Sequence, residues 1–457
     1  MKILKIIFSL LFVAVICLPL CFFNLDTGAV SEIDNRALAG NPFTSEGDLT
    51  GNIENYVNDR IGFRNEMING YTVLNDRVFG EMVHPNYSYG KDGYVFGAGL
   101  TTVKNTYTDY HREFAKAVKN MQDYCTERNI PFVFVFNPAK PAVLQEYIPD
   151  SINYDRTWVD EFFKELDSYG VNYVDNTVTL TEKKNNGNIV FNQKYDANHW
   201  NDLGAFYGTN AVLENLQQFI SEVHINDIGE FNVEEKVETS LPVSSFAINE
   251  TVPAISLKNE DIINSSEKYY AEIDRHPSYT AFGHFTNTER ADENAPKAFV
   301  FQGSYMNSYG YKYFANSFSE YIYVHDYQNV FNFEYYINIF NPDCVIFEVA
   351  EYTFSDGYFS YEKLHNFELA PALSSAKQEA VREIALKDGD LTVVTKSEQG
   401  APVLTEIIWN TSYQYSAVWM KFDRVLDMIK TDSGYTVTVK TEDYEKFKNQ
   451  LRITVYD

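Results

Sequence analysis

Four cysteines among 457 residues are too few to staple a chain of this length. Cys17 and Cys21 fall in an apolar N-terminal run, which leaves Cys125 and Cys344 for everything after it. A disulfide-built scaffold is therefore excluded, and two buried free thiols are the expected state of that pair. No Cys-x-x-Cys or His-x-x-x-His pair occurs, so the paired spacing of a zinc site is missing as well. Positive charge is also scarce, with 37 Lys and Arg against 64 Asp and Glu and a formal charge of −27. Nucleic-acid binding needs clustered cations to displace counterions, so that function class is excluded. Aromatics are plentiful, 34 Tyr and 34 Phe, which rules out intrinsic disorder and supplies a large core.

The first 23 residues differ from the rest. Lys2 and Lys5 precede Ile6–Phe23, a stretch whose one polar member is Ser9. Eighteen residues of helix reach about 27 Å, near the short limit for crossing a bilayer core. The positive flank lies on the amino side and acids follow, which places the remainder outside the cytoplasm. A cleaved signal peptide with a site near Thr27-Gly28-Ala29 is the competing reading. The run exceeds a usual signal core, so we read an uncleaved anchor over 1–23. Ile16 and Leu20 are too bulky before Cys17 and Cys21 for a lipoprotein signal. The formal charge of −27, less the two lysines of that segment, leaves −29 outside the membrane.

Residues 24–100 read as a polar extension with a helix-like segment at 53–78. A domain over 101–387 follows, in which helical patterns alternate with apolar runs. Tyr110–Arg128, Trp158–Tyr169 and Leu203–Ile220 carry helical periodicity. Phe132–Phe136, Val171–Val174, Ala298–Phe301, Tyr321–Val324 and Cys344–Val349 read as buried parallel strands. Residues 225–295 are polar, acidic and β-like, and read as an insertion. Residues 388–457 read as a small β-rich module, whose Trp409, Tyr413, Tyr415 and Trp419 either dock a glycan or pack on the main domain. The alternation predicts a layered α/β fold with a mostly parallel sheet.

In such sheets ligands bind beyond the carboxyl ends of the strands. Ser304 follows Ala298–Phe301 on a strand-to-helix turn, where a hydroxyl is lifted above the sheet. Gly303 lets the backbone approach closely, and the following N–H groups can receive an oxyanion. A serine of ordinary pKa needs a base, for which His199 is the candidate. Asp196, three residues earlier, can fix the imidazole tautomer. Taken singly, Gly-Ser is most often only a turn, and Asp-x-x-His only a helix cap; their shared placement at strand ends turns them into a candidate triad. Asn137, ending its strand, is a candidate oxyanion donor or a cap of its own turn. Glu348 and Glu351 form a candidate carboxylate pair or a solvated rim. Arg60 and Arg64 could hold an anionic sugar or pair with Glu54 or Asp59. Tyr305, Tyr309, Tyr311, Tyr313 and Phe314 line a sugar groove or pack in the core.

The Asp-x-x-His spacing, followed by Trp200-Asn201-Asp202-Leu203-Gly204-Ala205, resembles the alginate O-acetyltransferase-type (DHHW) branch of the SGNH hydrolases. That branch also places its acid–base block before its serine. Asn35–Ala39, Glu54–Arg64, Tyr89–Phe96 and Asn341–Glu348 match further pieces in the same order. The resemblance implies a flavodoxin-like three-layer α/β/α SGNH domain with catalytic Ser304, His199 and Asp196; Gly303, Tyr305 and Asn137 remain the candidates around the oxyanion and substrate. It implies acetyl transfer to an envelope or exported polysaccharide outside the cytoplasm. It also implies a multi-pass membrane acyltransferase as acetyl supplier; double displacement through a serine requires no cofactor or metal. Gln302 and Gly303 depart from the Gly-Asp that usually precedes such a serine. An acetyl esterase with the same triad, and a non-catalytic polysaccharide-binding protein, are the alternatives.

If 1–23 is an anchor, the full chain fractionates with membranes and keeps its N-terminus. Recovery of a soluble product beginning near Val30 would overturn that.

Overall fold

The computed structural model describes residues 2–31, 36–45, 47–83, 86–97, 100, 106–242, 246–266, 282–370, 382–384, 386–387, 389–398, 401–413, 416–421 and 424–456. Asn35, Tyr415 and the expected domain boundary at 388 lie outside these residues.

Lys2–Cys21 is one helix, and its Leu4–Cys21 window has a mean hydropathy of 2.6 and no buried share. By length and composition it can cross a membrane. The extension then forms two helices, Leu49–Arg60 and Arg64–Phe79, where one continuous segment was expected. Phe63 adopts φ 62°, which breaks the helix at that point. The break abuts the apolar helix, since the N–H of Gly62 donates to the Pro19 carbonyl at 3.0 Å. Arg60 is buried and is satisfied by backbone carbonyls, where pairing with Glu54 or Asp59 was expected. Its guanidinium donates to the carbonyls of Ala39, Asn24 and Asp26.

The main sheet has seven strands: β1 (Phe132–Asn137), β2 (Tyr173–Asp175), β3 (Ile262–Asn264), β4 (Phe282–Asn287), β5 (Lys297–Phe301), β6 (Glu320–Val324) and β7 (Cys344–Ala350). Their spatial order is β2-β1-β7-β5-β6-β4-β3. The first five are mutually parallel, and β4 runs antiparallel to both β6 and β3. Counted from β5 onward through β6, β7, β1 and β2, the parallel strands stand in the flavodoxin-like order 2-1-3-4-5. The chain is thus a circular permutation of that order, with its last two strands moved to the front.

Side-chain alternation explains the layers. Phe132, Phe134 and Phe136 join one core cluster with Phe299, Phe301, Val345 and Phe347. Val133 and Val135 point the other way, with Ala298, Val300, Cys344 and Ile346. Helices α1 (Asp109–Glu127) and α2 (Thr157–Tyr169) cover the first face with Phe114, Val118 and Phe162. Helices α3 (Asn176–Asn185), α4 (Asp202–Gln217) and α5 (Tyr311–Ser317) cover the second with Leu180, Leu213 and Phe314. Helix α6 (Phe333–Phe340) returns to the first face. Cys125 and Cys344 are both buried free thiols.

The expected insertion divides in two. Phe231–Ser240 and Ala247–Leu257 form a separate antiparallel hairpin, whereas β3 and β4 extend the main sheet. The segment beyond Arg382 forms two four-stranded sheets. Its Trp409 is buried and stacked on Tyr435, 6.0 Å between centroids, so this ring packs rather than docks. The module meets the main domain through Arg128, paired with buried Asp427, whose carbonyl accepts from Asn338 Nδ2 at 2.8 Å.

Helix α4 is capped by Asn201, whose side chain accepts the Gly204 N–H at 2.9 Å. A Cβ at Gly204 would stand 2.3 Å from the Val190 carbonyl, which accounts for the Leu-Gly-Ala sequence there. Alanine is the better helix former by about 1 kcal/mol, yet Gly204→Ala is expected to destabilise by about 1–3 kcal/mol through overpacking. A lower urea midpoint at unchanged slope would register it; an equal or higher midpoint would refute the packing.

Candidate active site

Parallel strands end on one edge, and the chemistry-bearing residues follow from that direction and from side-chain alternation. Ser304 lies three residues beyond β5, on a turn that leads into a π-helical stretch, Met306–Gly310. The alternation that sends Val133 and Val135 to the second face also sends Asn137 there, and Glu348 follows Cys344 and Ile346. His199 and Asp196 arrive on the irregular segment between α3 and α4.

The structure brings Ser304, His199 and Asp196 together. His199 Nε2 is 2.8 Å from Ser304 Oγ, and Nδ1 is 2.9 Å from each Asp196 carboxylate oxygen. A carboxylate only accepts, so Nδ1 carries the proton and Nε2 is left to receive one from the serine. Asp196 sits at φ 54°, a left-handed conformation that aspartate tolerates. It also accepts the N–H groups of Asn198 and His199 at 3.2 and 3.0 Å, and the Tyr309 hydroxyl at 3.3 Å. Burial alone raises the Asp196 pKa, but its contacts with His199 and these amides bring the net shift below the ordinary value. Burial likewise lowers His199, and the Asp196 charge and hydrogen bond more than offset it, so His199 ends above its ordinary value.

Tyr352 belongs to the same cluster and was not singled out by sequence. Its hydroxyl is 2.5 Å from Ser304 Oγ and 3.3 Å from His199 Nε2. Burial holds it well above the ordinary tyrosine pKa, so it stays a neutral donor. The one available signal was its place two residues past the end of β7, at the same sheet edge.

The other candidates take different positions. The Gly303 N–H donates to Glu348 Oε2, and Asn137 Nδ2 donates to Glu348 Oε1 at 2.6 Å. Asn137 also accepts from Asn176 Nδ2 at 2.8 Å, so it bridges side chains instead of capping its own turn. Glu348 is 2% exposed, and burial pushes its carboxyl up to about 7. Glu351 is equally buried and engages Arg156 Nε at 2.9 Å and the Ala139 N–H at 3.0 Å. The two glutamates therefore form neither a solvated rim nor a mutual pair. Tyr305 is buried, its hydroxyl donating to the carbonyls of Pro138 and Asn198 at 2.8 and 2.7 Å. Tyr313 and Phe314 are buried too, so these three rings are core and line no groove.

Lys140, fully buried after β1, donates to the carbonyls of Val95 and Gln193 at 2.8 and 3.1 Å, tying the acid–base segment to the N-terminal hairpin Tyr87–Gly97. The same hairpin contributes the Val95 N–H to Gln193 O at 2.9 Å and the Gly97 N–H to Ala197 O at 3.2 Å. Burial lowers the Lys140 pKa to about 7. Among the described residues no group of His, Cys, Asp and Glu is arranged to hold a metal ion.

Residues 88–245 match the family model described as SGNH hydrolase-like domain, acetyltransferase AlgX, so the resemblance read from the sequence is borne out over that segment. No curated protein matches the chain. Solved structures similar to it include PatB1 of Bacillus cereus, at 18% identity over 59% of this chain and 98% of that one, with a TM-score of 0.45. The O-acetyltransferase domain of Pseudomonas putida AlgJ is 14% identical over 65% and 97% of the two chains, with a TM-score of 0.41. A DHHW family protein from Eubacterium siraeum is 15% identical over 64% and 98%, with a TM-score of 0.44.

The direction of the His199 shift fixes a pH dependence. A general base works in its neutral form, so serine reactivity should rise with pH through a midpoint above histidine's ordinary ~6.5. The rate of labelling by a serine-directed sulfonyl fluoride across pH 5–9 measures it. A midpoint at or below that value would show that Asp196 does not govern the imidazole.

Proposed function

We propose that this chain is an extracytoplasmic O-acetyltransferase that moves acetyl groups onto a cell-envelope or exported polysaccharide through an acyl-enzyme on Ser304. The observation that carries the reading is the continuous hydrogen-bonded row Asp196–His199–Ser304–Tyr352 at a parallel-sheet edge. The match of 88–245 to an acetyltransferase model supports it. Sheet topology adds to this. In the flavodoxin-like order the ligand site lies at the switch point between the first and third strands, which are β5 and β7 in this chain. Ser304 follows β5, and Tyr352 follows β7.

Ser304 Oγ attacks the carbonyl carbon of an acetyl donor while its proton passes to His199 Nε2. Asp196 and, at longer range, buried Glu348 stabilise the imidazolium that forms. Tyr352 donates to the oxygen that carries developing charge. Asn137 spends one amide hydrogen on Glu348 and keeps a second for the oxyanion; Gly303, whose single N–H goes to Glu348, shapes the turn and supplies no such donor. The donor's alkoxide leaves with the proton from His199. A sugar hydroxyl, deprotonated by His199, then attacks the acetyl-serine and restores the enzyme. A multi-pass acyltransferase in the same membrane would supply the acetyl group, and the 1–23 helix would hold this chain beside it.

Incubation of the purified protein with an acetyl ester and an acceptor glycan tests the reading. Acetylated glycan formed at the expense of hydrolysis supports transfer. Ester cleavage indifferent to every glycan would assign an esterase instead.

Ser304→Ala and His199→Ala are each expected to abolish turnover, a loss on the order of 10⁶ by analogy with the best-studied protease triad, and Asp196→Ala about 10⁴. The Ser304→Ala/His199→Ala double variant should be no worse than Ser304→Ala, because the members act as one unit. Tyr352→Phe should cost on the order of 10² in kcat, the lower end for one oxyanion donor. A folded Ser304→Ala retaining a tenth of the wild-type turnover would sink the assignment.

A further inference from the structure

We infer that Glu250, carried by the hairpin inserted outside the sheet, is a positioning residue for the acid–base pair; the inference rests on the acyl-transfer reading above. The hairpin buries Phe231 and Ile255 in the core of the second face. Residues 232–237 of its first strand are exposed, and neither strand joins the main sheet. Its second strand, however, is fastened to the segment that bears Asp196 and His199 at two separate points.

The first point is Glu250. One carboxylate oxygen accepts the Gln193 N–H at 2.6 Å, and the other accepts those of Lys194 and Tyr195 at 2.9 and 2.6 Å. Three consecutive amides converging on one anion form a nest, and each bond is charge-assisted. The next residue is Asp196. The second point lies five residues along the strand, where the Ile255 N–H donates to Asp202 Oδ2 at 2.9 Å and Lys312 Nζ donates to the Ile255 carbonyl at 2.7 Å. Asp202 is the first residue of α4, just past His199. The strand therefore spans the acid–base segment and holds it before and after the reacting groups.

The need for such a brace follows from the local backbone. Residues 193–199 belong to no helix or strand, so their amides have no ladder to join. Asp196 is held at φ 54° in the middle of them. Lys140 and Val95 take the Gln193 carbonyl from one side, and Glu250 takes the three N–H groups from the other. Without the Glu250 anion the peptides at 193–195 can rotate, and Asp196 loses its registry with Nδ1 of His199. The consequence is chemical as well as geometric. Asp196 is what raises His199, so a loosened segment lets the imidazole relax toward its ordinary pKa.

Glu250→Gln and Glu250→Asp in the full-length protein test this. Glutamine keeps the size but turns one of the two acceptors into a donor facing an N–H; aspartate keeps the charge but withdraws it by one methylene. The readout is the rate of Ser304 labelling by an arylsulfonyl fluoride, followed by mass across pH 5–9, with thermal melts run in parallel. Glu250→Gln is expected to lower the plateau rate 10- to 100-fold and to move the acid-side midpoint down toward the ordinary histidine value. Glu250→Asp should fall between it and wild type. A merely structural glutamate would lower the melting temperature without moving that midpoint. Wild-type rate and midpoint in folded Glu250→Gln would overturn the inference, as would failure of both variants to fold. Equal labelling of Ser304→Ala would instead overturn the acyl-transfer reading on which the inference rests.

Discussion

The parallel direction of five strands is the constraint on which everything else in the molecule depends. Parallel pairing sends every strand end to one edge, so residues far apart in the chain meet there without any contact in sequence. Ser304 comes from beyond β5, Tyr352 from beyond β7 and Asn137 from the end of β1. The acid–base segment enters from between α3 and α4. Because both faces of the sheet are covered, this edge is where these polar side chains can converge without cutting through packed core.

Circular permutation leaves that geometry intact. The order 2-1-3-4-5 survives when counting starts at β5, so the switch point lies between β5 and β7 whichever strands come first in the chain. Permutation does change what must be braced. His199 follows neither a strand nor a helix directly; it rides on an irregular segment gripped by the 87–97 hairpin, Lys140 and the inserted strand. Buried Lys140 and Glu250 act on opposite ends of one peptide group, the one joining Gln193 to Lys194: Lys140 donates to its carbonyl and Glu250 accepts its N–H, and together they fix its orientation. Glu348 does comparable work beside Ser304, taking both the Gly303 N–H and one amide hydrogen of Asn137.

Burial governs the electrostatics of this edge. Desolvation alone would push Asp196 up and His199 down, toward a protonated carboxyl and a less basic imidazole. Their contact at 2.9 Å reverses both shifts. Glu348 has amide donors but no cation in contact, so burial prevails and its carboxyl rises to about 7. Tyr352 lacks any compensating charge and remains protonated, as a donor must.

By itself the sequence determined the layered α/β class, five parallel strands within a residue or two of their ends, the apolar N-terminal helix, and the candidate trio Ser304, His199 and Asp196, which the structure brings into contact. Those features are local: continuous apolar runs mark strands covered on both faces, and Gly-Ser and Asp-x-x-His sit beside them in the chain. Only the tertiary structure decided the rest. The break at Phe63 was hidden because a left-handed phenylalanine has no sequence signature. Arg60, Glu348 and Glu351 looked like surface charges, and their burial became visible only with the carbonyls, amides and guanidinium that satisfy them. Tyr305 was open between groove and core and is core, whereas Tyr352 looked like any other tyrosine and stands 2.5 Å from Ser304 Oγ. Glu250 is the sharpest case. Fifty-four residues separate it from Asp196, on a hairpin whose acidic pattern reads as solvated surface, and three backbone amides give it its place. Local pattern reports which residues are apolar and where the chain turns; pairings between distant polar groups depend on the path of the whole chain.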